Sequence, residues 1–544
     1  MDFHYPLSVQ DPPARTTRRH YVWLAVILLA GLALRAGYMS QALQTPGYTW
    51  QDPDGYILKA QRLAPKGTWR WTFDAVTHHI NYRRHALPPG YSVFLSLFLL
   101  FPGFPLSAQL ALMLLGLAIV ALLFELGRLV HSPAAGLIAA AAYALAVPYI
   151  IGVWSTSQEG LYIPLILVAF VVMGRALLAD ASPWRFGLAG VLFGLAALTR
   201  SMPLFYAAPA AIALAWLSHD RTRGARQALA FVAGFLLPTV PYSVALSLHF
   251  GELAIIDTHG SIHQQLAPGA RAPGLGETAA ALWHSFAEAP AAFLTTTLDR
   301  ARSLLHINGG RILQIYVVAD TYAQAIAWKV AVHAGTDVLL ILSAILAPIG
   351  AAVSRQPRVA VLWLLWAAVN IGVASLGGFS GARLRAPFEP FMILLAAVAV
   401  AGGWQVRRWW LLPALALSAA SAAAVLPQLP RSLAAWPDYG VEWPSIWVRE
   451  NGRIKGPAGL NVLALDGRAE FSIVRAAAPV NGTAPVGVDV SGDGVILASR
   501  TIAPGATERF SVWWPRRGLA FLTIDVRNQD GSAPGELRML VPRR

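Results

Sequence analysis

Cysteine is absent from this 544-residue chain, and charged residues make up only 13% of it. The lack of cysteine excludes disulfides, thiol catalysis and cysteine-based metal sites. Average soluble domains are about 25% charged, so the shortage of charge argues against a soluble enzyme. Several long runs contain no Asp, Glu, Lys or Arg, namely 85–124, 129–158, 227–251, 359–382 and 409–430. Because about 20 apolar residues let a helix cross a bilayer, these runs predict a polytopic membrane protein.

Acidic residues are also few, with 28 Asp and Glu against 42 Lys and Arg, which gives a net charge of +14. In a soluble protein this excess would suggest nucleic-acid binding. In a membrane protein, basic residues hold the cytoplasmic loops in place, and we therefore expect no nucleic-acid partner. The first apolar run is not followed by a clear small-residue cleavage site, so residues 20–39 are predicted to be a retained anchor.

The positive-inside rule fixes the predicted topology, because it places most arginines on the cytoplasmic side only if segment 88–101 does not cross. We expect that segment to be a re-entrant or interfacial helix. The N-terminal tail, 1–19, is then cytoplasmic, and the outer loops are 40–105 and 249–337, with an amphipathic surface helix at 293–305. The predicted fold is a mainly α transmembrane bundle over 20–426, with about eleven spans at 20–39, 106–127, 134–153, 160–178, 186–199, 203–217, 228–248, 338–353, 359–376, 388–404 and 409–426.

Residues 427–544 differ in pattern from the rest of the chain. Their apolar residues alternate in short runs, and turn signals such as Asp530-Gly531 separate runs at 469–474, 486–490, 509–514 and 519–526. Period-two runs with turns between them are typical of β-strands. We therefore predict a separate small β-sandwich domain on the outer, periplasmic side.

Two carboxylates, Asp52 and Asp54, lie one residue apart just beyond the first span. An Asp-Pro-Asp-Gly string can be a simple turn, because Asp, Pro and Gly dominate turns. At the mouth of a helical bundle, such a carboxylate can also act as a general base on a hydroxyl acceptor or bind a divalent cation. Glu159 lies between two long apolar runs on the same predicted side. It is either an exposed helix-end residue or a third member of the site.

Basic residues are unusually frequent in the first outer loop. They are either solvated surface charges or ligands for an anionic group, since Lys and Arg bind phosphate. Arg383 and Arg385 have a two-residue spacing that allows both to contact one phosphate or diphosphate, or they snorkel at a helix end with Glu389 as a local partner. The basic residues of the first outer loop are Lys59, Arg62, Lys66, Arg70, Arg83 and Arg84, with His78, His79 and His85.

The 249–337 loop contains a loose cluster of Asp257, His259 and His263. A His-x3-His spacing on a helix can bind zinc. Gly260 argues against a stable helix here, so the spacing alone does not define a metal site. Asp54 and Glu159 are the other candidate ligands, for a divalent cation such as Mg²⁺ or Mn²⁺.

Several segments, in their order and predicted sidedness, resemble the GT-C superfamily of membrane glycosyltransferases. Within it they are most similar to the protein mannosyltransferase and aminoarabinose (lipid A) transferase-like group, over about residues 20–405. The segments that carry the resemblance are Asp52-Pro53-Asp54-Gly55-Tyr56 with Ala60 and Leu63 behind it, Arg84-His85-Ala86-Leu87-Pro88-Pro89-Gly90-Tyr91, Glu159, Leu198-Thr199-Arg200-Ser201-Met202-Pro203, and Arg383-Leu384-Arg385-Ala386-Pro387-Phe388-Glu389-Pro390.

The resemblance implies an inverting glycosyltransferase of the bacterial inner membrane. Such an enzyme takes a sugar from a polyprenyl phosphate or diphosphate carrier at the outer face and passes it to a lipid, glycan or protein acceptor. Asp54, directly after proline, matches the catalytic aspartate; Asp52 is the alternative base, and Glu159 would position the acceptor or a metal. Gly55 stands where many members have Glu, which leaves metal dependence open. The implied ligands of the lipid phosphate are Arg383, Arg385, Arg200, Lys59, Arg84, His85 and Tyr56.

Two other functions remain as alternatives. A transporter or flippase for a lipid-linked sugar would also need outer arginines and many spans, but such proteins more often contain internal repeats, and we find none in the sequence. A non-catalytic scaffold for polysaccharide assembly would recognise glycans through the β-domain. It predicts that Asp52, Asp54 and Glu159 are all dispensable.

Overall fold

A computed structural model describes the helices and their nearest connections between residues 16 and 428, together with strands between 448 and 540. The described helical parts are 16–44, 55–77, 87–146, 158–179, 181–218, 220–251, 253–256, 275–305, 327–376, 382–402 and 408–428. The chain divides into two compact units. The first consists of residues 1–36, 50–307 and 335–428, and the second of residues 37–49, 308–334 and 429–544.

The helices follow the apolar runs of the sequence. In chain order they are α1 (Arg18–Gln44), α2 (Tyr56–Leu63), α3 (Phe73–Thr77), α4 (Gly90–Phe98), α5 (Leu106–Val130), α6 (Pro133–Leu145), α7 (Glu159–Leu178), α8 (Pro183–Thr199), α9 (Pro203–Leu217), α10 (Arg221–Phe250), α11 (Leu275–Glu288), α12 (Pro290–Leu304), α13 (Ala327–Val353), α14 (Pro357–Leu376), α15 (Glu389–Val400) and α16 (Arg408–Val425). Each predicted span overlaps one of these helices, although α6 covers only the first part of the span predicted at 134–153. The mainly helical fold class is confirmed.

Six helices in the described part of the chain are long and apolar enough to cross a membrane. They lie at Arg18–Gly37, Leu106–Val130, Glu159–Leu178, Arg221–Phe250, Gly335–Val353 and Pro357–Leu376. The remaining predicted spans are shorter apolar helices, at Pro133–Leu145, Pro183–Thr199, Pro203–Leu217, Glu389–Val400 and Leu412–Val425. The number of crossings and the orientation of the chain therefore remain predictions.

One end of the helical bundle collects several of the arginines predicted to be cytoplasmic. Glu125, near the end of α5, accepts hydrogen bonds from Arg128 at 2.6 Å and from Arg175 of α7 at 2.5 Å. At the same end the backbone N–H of Gln356, directly before α14, donates to the carbonyl oxygen of Val130 at 3.2 Å. The ends of α5 and α7 and the start of α14 thus share one end of the bundle.

The opposite end, where α7 begins and α8 ends, carries the short helices α2, α3 and α4, and we call it the site end. Leu63 of α2 is buried in a small core with Ala75 and Val76 of α3. A Cβ atom on Gly90, the first residue of α4, would lie 2.8 Å from the carbonyl oxygen of Leu198. The start of α4 therefore packs against the end of α8, and only glycine allows this close approach.

The segment 88–101 forms the helix α4, which has 9 residues. A crossing needs about 20. The next helix, α5, begins at the same end of the bundle, because a Cβ atom on Gly160 of α7 would lie 2.8 Å from Cδ2 of Leu112. The segment thus starts and ends at the site end, and its position relative to the membrane remains a prediction.

The backbones of helices α8 and α10 lie unusually close together where the two helices cross. A Cβ atom on Gly190 would lie 2.0 Å from the carbonyl oxygen of Phe231, and one on Gly234 would lie 2.0 Å from that of Gly187. Small residues at helix crossings allow backbones to approach in membrane bundles. The glycines therefore determine how α8, whose end lies in the site, is held by the bundle.

The long helix α10 begins with a side-chain cap. Asp220 accepts a hydrogen bond from the backbone N–H of Thr222 at 2.9 Å and from its hydroxyl at 2.8 Å. Both bonds lower the pKa of the Asp220 carboxyl below its ordinary value, and the bond from the Thr222 hydroxyl has the larger effect. The cap satisfies one of the free N–H groups at the start of the helix.

The described C-terminal strands belong to the second unit. They are β1 (Val448–Arg449), β2 (Arg453–Ile454), β3 (Ala458–Ala464), β4 (Arg468–Arg475), β5 (Val486–Gly492), β6 (Val495–Ile502), β7 (Thr507–Trp513), β8 (Gly518–Asn528) and β9 (Leu537–Leu540). They form two sheets, in the orders β1-β2-β9-β4-β7 and β3-β8-β5-β6, and every pairing is antiparallel.

Buried apolar side chains lie on strands of both sheets. Val488 and Val490 of β5 are buried, as are Phe510 and Val512 of β7. In β7 the intervening Ser511 is exposed, which is the alternation that the sequence predicts for a strand with one inner face. In β5 the intervening Asp489 is also buried, and it accepts a hydrogen bond from the hydroxyl of Ser499 at 2.7 Å. The prediction of a small β-rich region at the C-terminus is confirmed, and its boundaries as a domain remain a prediction.

Candidate active site

A buried ion pair lies at the site end of the bundle. Glu159 is the first residue of α7, and Arg200 directly follows the last residue of α8. Nη1 of Arg200 donates to Oε1 of Glu159, and the two side chains are only 11% and 10% exposed. The arginine also lies over the ring of Tyr162, one turn into α7, at 6.0 Å from its centroid. The pair therefore joins the ends of two neighbouring helices.

Helix α2 packs beside this pair through Tyr56. Gly55 precedes the helix with φ of 71°, a left-handed conformation that glycine adopts easily. The hydroxyl of Tyr56 donates to Oε1 of Gln158 at 2.9 Å, and the ring contacts Tyr91 of α4 edge-on at 5.1 Å. Since Gln158 directly precedes Glu159, the start of α2 is fixed next to the ion pair.

Lys59 lies one turn further along α2. Its backbone N–H donates to the carbonyl oxygen of Gly55 at 3.1 Å, and its side chain is only 2% exposed. A lysine buried to this extent is rare in proteins. The start of α2 thus contributes a buried lysine as well as Tyr56 to the site end.

The segment before α15 contains a second buried ion pair. Arg385 ends a 3-10 turn at Ala382–Arg385, and its side chain is fully buried. Its Nε donates to Oε2 of Glu389, the first residue of α15, at 2.8 Å, and its Nη1 donates to the carbonyl oxygen of Leu304 at 2.5 Å. These two partners favour a structural role for Arg385, and its predicted role as a phosphate ligand remains a prediction.

Trp366 of α14 lies between the two ion pairs. Its indole N–H donates to the carbonyl oxygen of Pro387 at 2.9 Å. Its ring centroid lies 6.5 Å from that of Tyr162, the tyrosine that contacts Arg200. The segment 382–390 and the Glu159–Arg200 pair are therefore connected by a continuous set of packed side chains.

The structure brings together three of the predicted site residues, Tyr56, Glu159 and Arg200, with Lys59 on the same short helix as Tyr56. Sequence reasoning missed Gln158 and Trp366, because neither is charged. Gln158 follows a run of Ser and Thr residues and Trp366 lies in an apolar helix, so neither stands out from its neighbours. For Arg383 the structure describes the main chain only. The predicted site residues that lie outside the described part of the chain are Asp52, Asp54, Arg84, His85, Asp257, His259 and His263.

A divalent cation would need a group of acidic or histidine side chains. Within the described residues, no three His, Asp or Glu side chains are grouped in this way. Glu159 instead has a guanidinium group as its partner, which competes with a metal for the carboxylate oxygen. Asp54, the other acidic residue predicted to bind a divalent cation, lies outside the described residues, so metal binding remains a prediction.

Comparison with known proteins gives a family match. Residues 86–246 match the family described as dolichyl-phosphate-mannose-protein mannosyltransferase. The matched segment contains α4, Glu159 and Arg200, and the acidic motif at 52–56 precedes it. The match covers less than half of the chain, and over that part it agrees with the resemblance to membrane glycosyltransferases found in the sequence. No curated protein matches the chain.

Among solved structures, the chain is similar to the archaeal oligosaccharyltransferase AglB from Archaeoglobus fulgidus, in complex with an inhibitory peptide and a dolichol-phosphate. The identity is 15% and the TM-score 0.41, over 76% of this chain and 56% of AglB. It is also similar to ArnT from Cupriavidus metallidurans bound to undecaprenyl phosphate, with 17% identity and a TM-score of 0.42. That match covers 77% of this chain and 66% of ArnT, so the chain spans between about half and two thirds of these proteins.

Proposed function

We propose that the protein is a membrane glycosyltransferase that moves a sugar from a polyprenyl phosphate or diphosphate carrier to a hydroxyl-bearing acceptor. The reaction would take place at the outer face of a bacterial inner membrane. The acceptor would be a lipid, a glycan or a protein. The family match at 86–246 supports the reaction class, and the many apolar helices support the membrane location.

One observation carries the proposal, namely the hydrogen bond from Tyr56 to Gln158. Tyr56 follows Asp54 by two residues in the chain, and Gln158 directly precedes Glu159. The contact therefore ties the helix behind the acidic motif to the helix end that carries the ion pair. This supports a single site made of the acidic motif, Glu159 and Arg200.

Asp54 is the proposed general base, with Asp52 as the alternative. It would take the proton of the acceptor hydroxyl while the oxygen of that hydroxyl forms a bond to the anomeric carbon. The bond from that carbon to the carrier oxygen breaks in the same step, and the carrier leaves as a phosphate or diphosphate anion. The anomeric configuration is inverted because the acceptor attacks opposite the leaving group.

The leaving phosphate gains negative charge, and fixed cations in a water-poor site stabilise such charge. Arg383 is the proposed main ligand of the phosphate, with Lys59, Arg84 and His85 as further ligands. Arg385 would fix the segment 382–390 through Glu389. Glu159 neutralises the charge of Arg200, so we do not assign Arg200 the main role in binding the phosphate. The pair would instead orient the acceptor and the carrier head group.

The test is release of free undecaprenyl phosphate from undecaprenyl phosphate-linked sugars by the full chain in lipid nanodiscs, with a set of lipid, glycan and peptide acceptors. A transferase releases the free carrier, whereas a flippase does not. General bases contribute about 10²–10⁴-fold to rate. We therefore expect Asp54→Asn, or Asp52→Asn if that residue is the base, to lower release at least about 100-fold.

The matched control is Asp74→Asn, which removes an exposed carboxylate from α3 of the same outer segment. It should leave the rate unchanged. Full activity of both Asp54→Asn and Asp52→Asn would contradict the proposal, provided that both variants are folded. The proposal would also be contradicted if the Asp52 and Asp54 variants released free carrier and the unmodified protein did not.

A further inference from the structure

Two helices between α10 and α13 are largely exposed. They are α11 and α12, separated by Ala289, whose φ of −145° and ψ of 70° interrupt the helix before Pro290. The rings of Phe286 and Phe293 meet across this break at 5.7 Å. We call the two helices together the α11–α12 pair.

One face of α12 is fixed to the rest of the first unit. Leu304 is fully buried, and its carbonyl oxygen accepts the hydrogen bond from Arg385. One helical turn earlier, Nη1 of Arg300 donates to the carbonyl oxygen of Ser375, near the end of α14, at 3.3 Å. The C-terminal half of α12 is therefore attached to the site end of the bundle.

A different face of the pair is apolar and exposed. Trp283 is 69% exposed, Leu294 52% and Leu298 60%, and Phe286 lies at the same apolar side of α11. At 3.6 residues per turn, Leu294 and Leu298 lie one above the other on α12, and Trp283 and Phe286 do so on α11. The α11–α12 pair thus presents one apolar strip on each helix.

Most charged residues of the pair lie on other faces. On α11, His284 and Glu288 are one turn apart, and their side chains are within 3.0 Å. On α12, Asp299 and Arg302 form a similar exposed pair at 3.5 Å. Successive residues in a helix point about 100° apart, so His284 and Asp299 point away from their apolar neighbours. Arg302 lies one turn beyond Leu298, at the edge of the apolar strip, where a long arginine side chain can extend toward water.

The occupant that fits the apolar strips is lipid. Ser375, to which α12 is attached, directly precedes Leu376, the last residue of a helix that is long and apolar enough to cross the membrane. Leu376 is itself 41% exposed, so α12 is attached beside an exposed apolar end of α14. Helices with one apolar and one charged side lie in the membrane interface, and tryptophan is enriched there.

We propose that the α11–α12 pair lies on the bilayer at the end where α14 ends, with Trp283, Phe286, Leu294 and Leu298 in the lipid. Through Leu304, this contact holds Arg385 and with it the segment 382–385. The inference does not depend on the proposed reaction, because it concerns where the helices lie and not what they catalyse.

The absence of cysteine allows a direct test with single spin labels. Trp283→Cys and His284→Cys are labelled in the full chain, which is then placed in nanodiscs of phosphatidylcholine and phosphatidylglycerol. Collision with oxygen, which concentrates in lipid, is compared with collision with a water-soluble nickel chelate. We expect the oxygen-to-nickel ratio to be several-fold higher at position 283 than at 284.

A second pair of variants, Leu298→Cys and Asp299→Cys, tests α12 in the same way and serves if a substitution at Trp283 prevents folding. The label at 298 should contact lipid and the label at 299 water. Equal, water-like ratios at both members of both pairs would overturn the proposal. Lipid-like ratios at 284 and 299 would also overturn it, because the charged sides would then be buried.

Discussion

Glu159, the first residue of α7, and Arg200, the residue that follows α8, form a buried ion pair at the site end of the bundle. The two charges compensate each other, and both side chains are almost inaccessible to water. Removing one partner of a buried pair is strongly destabilising, by about 3–5 kcal/mol, because the other charge is left uncompensated. Removing both charges is much milder.

This relationship predicts the result of a double-mutant cycle. Glu159→Gln and Arg200→Gln should each lower the thermal unfolding temperature of the protein in nanodiscs, and the double variant should lose clearly less than the sum. The transfer rate of all three variants should be lower than that of the unmodified protein, because the acceptor and the carrier lose their orienting groups. Additive losses of stability would contradict the pairing.

The contact between Tyr56 and Gln158 predicts a smaller effect. Tyr56→Phe keeps the ring contact with Tyr91 but removes the hydrogen bond, which is worth about 0.5–1.5 kcal/mol. If this energy is lost in the transition state, the rate of carrier release falls about 2–10-fold. Steady-state rates over a range of donor concentrations separate the loss in kcat from a change in KM.

The control for this substitution is Tyr21→Phe, which changes an exposed tyrosine of α1. It should not alter the rate. If Tyr56→Phe also leaves the rate unchanged, the hydrogen bond does not position the acidic motif, and the proposed single site loses its main support.

The second ion pair leads to a prediction that separates structure from phosphate binding. Glu389→Gln would leave the fully buried Arg385 without its carboxylate, so we expect a large fall in the unfolding temperature. Arg383→Gln should leave that temperature unchanged but weaken binding of undecaprenyl phosphate about tenfold, the effect of losing one charge-assisted contact of about 1.4 kcal/mol. Native mass spectrometry of both variants with undecaprenyl phosphate measures the binding.

The opposite pattern would reverse these roles. Normal stability of Glu389→Gln would mean that Arg385 does not depend on its carboxylate partner. Weakened undecaprenyl phosphate binding by a stable Arg385→Lys variant, with Arg383→Gln unaffected, would make Arg385 the phosphate ligand.

Much of the fold could be predicted from the sequence, because a membrane imposes simple rules on composition. Helices such as α5 and α7 coincide with predicted spans, since their apolar runs have the length that a bilayer requires. The pairing of Arg385 with Glu389 could also be predicted from the sequence, because residues four apart on a helix or at its start lie close together. Local spacing is sufficient for contacts of this kind.

The contacts that build the site could not be predicted in the same way. Tyr56 and Gln158 are 102 positions apart, and neither is charged, so neither spacing nor composition relates them. The bond from Arg385 to the carbonyl of Leu304 spans 81 positions and involves a main-chain atom that every residue possesses. Such contacts follow from how helices pack, and packing depends on side-chain shape rather than on pattern.

Helix packing itself gives the last prediction, at the crossing of α8 and α10. Gly234→Ala would place a methyl group 2.0 Å from the carbonyl oxygen of Gly187, and main-chain atoms cannot move aside as a flexible side chain can. We expect the helices to separate and the free energy of unfolding to fall by about 1–3 kcal/mol or more. Gly372→Ala in α14 is the matched control, because no described atom outside that helix lies within 4 Å of its added Cβ. Thermal unfolding of both variants in the same nanodiscs makes the comparison, and equal stability would mean that α8 and α10 do not cross at Gly234.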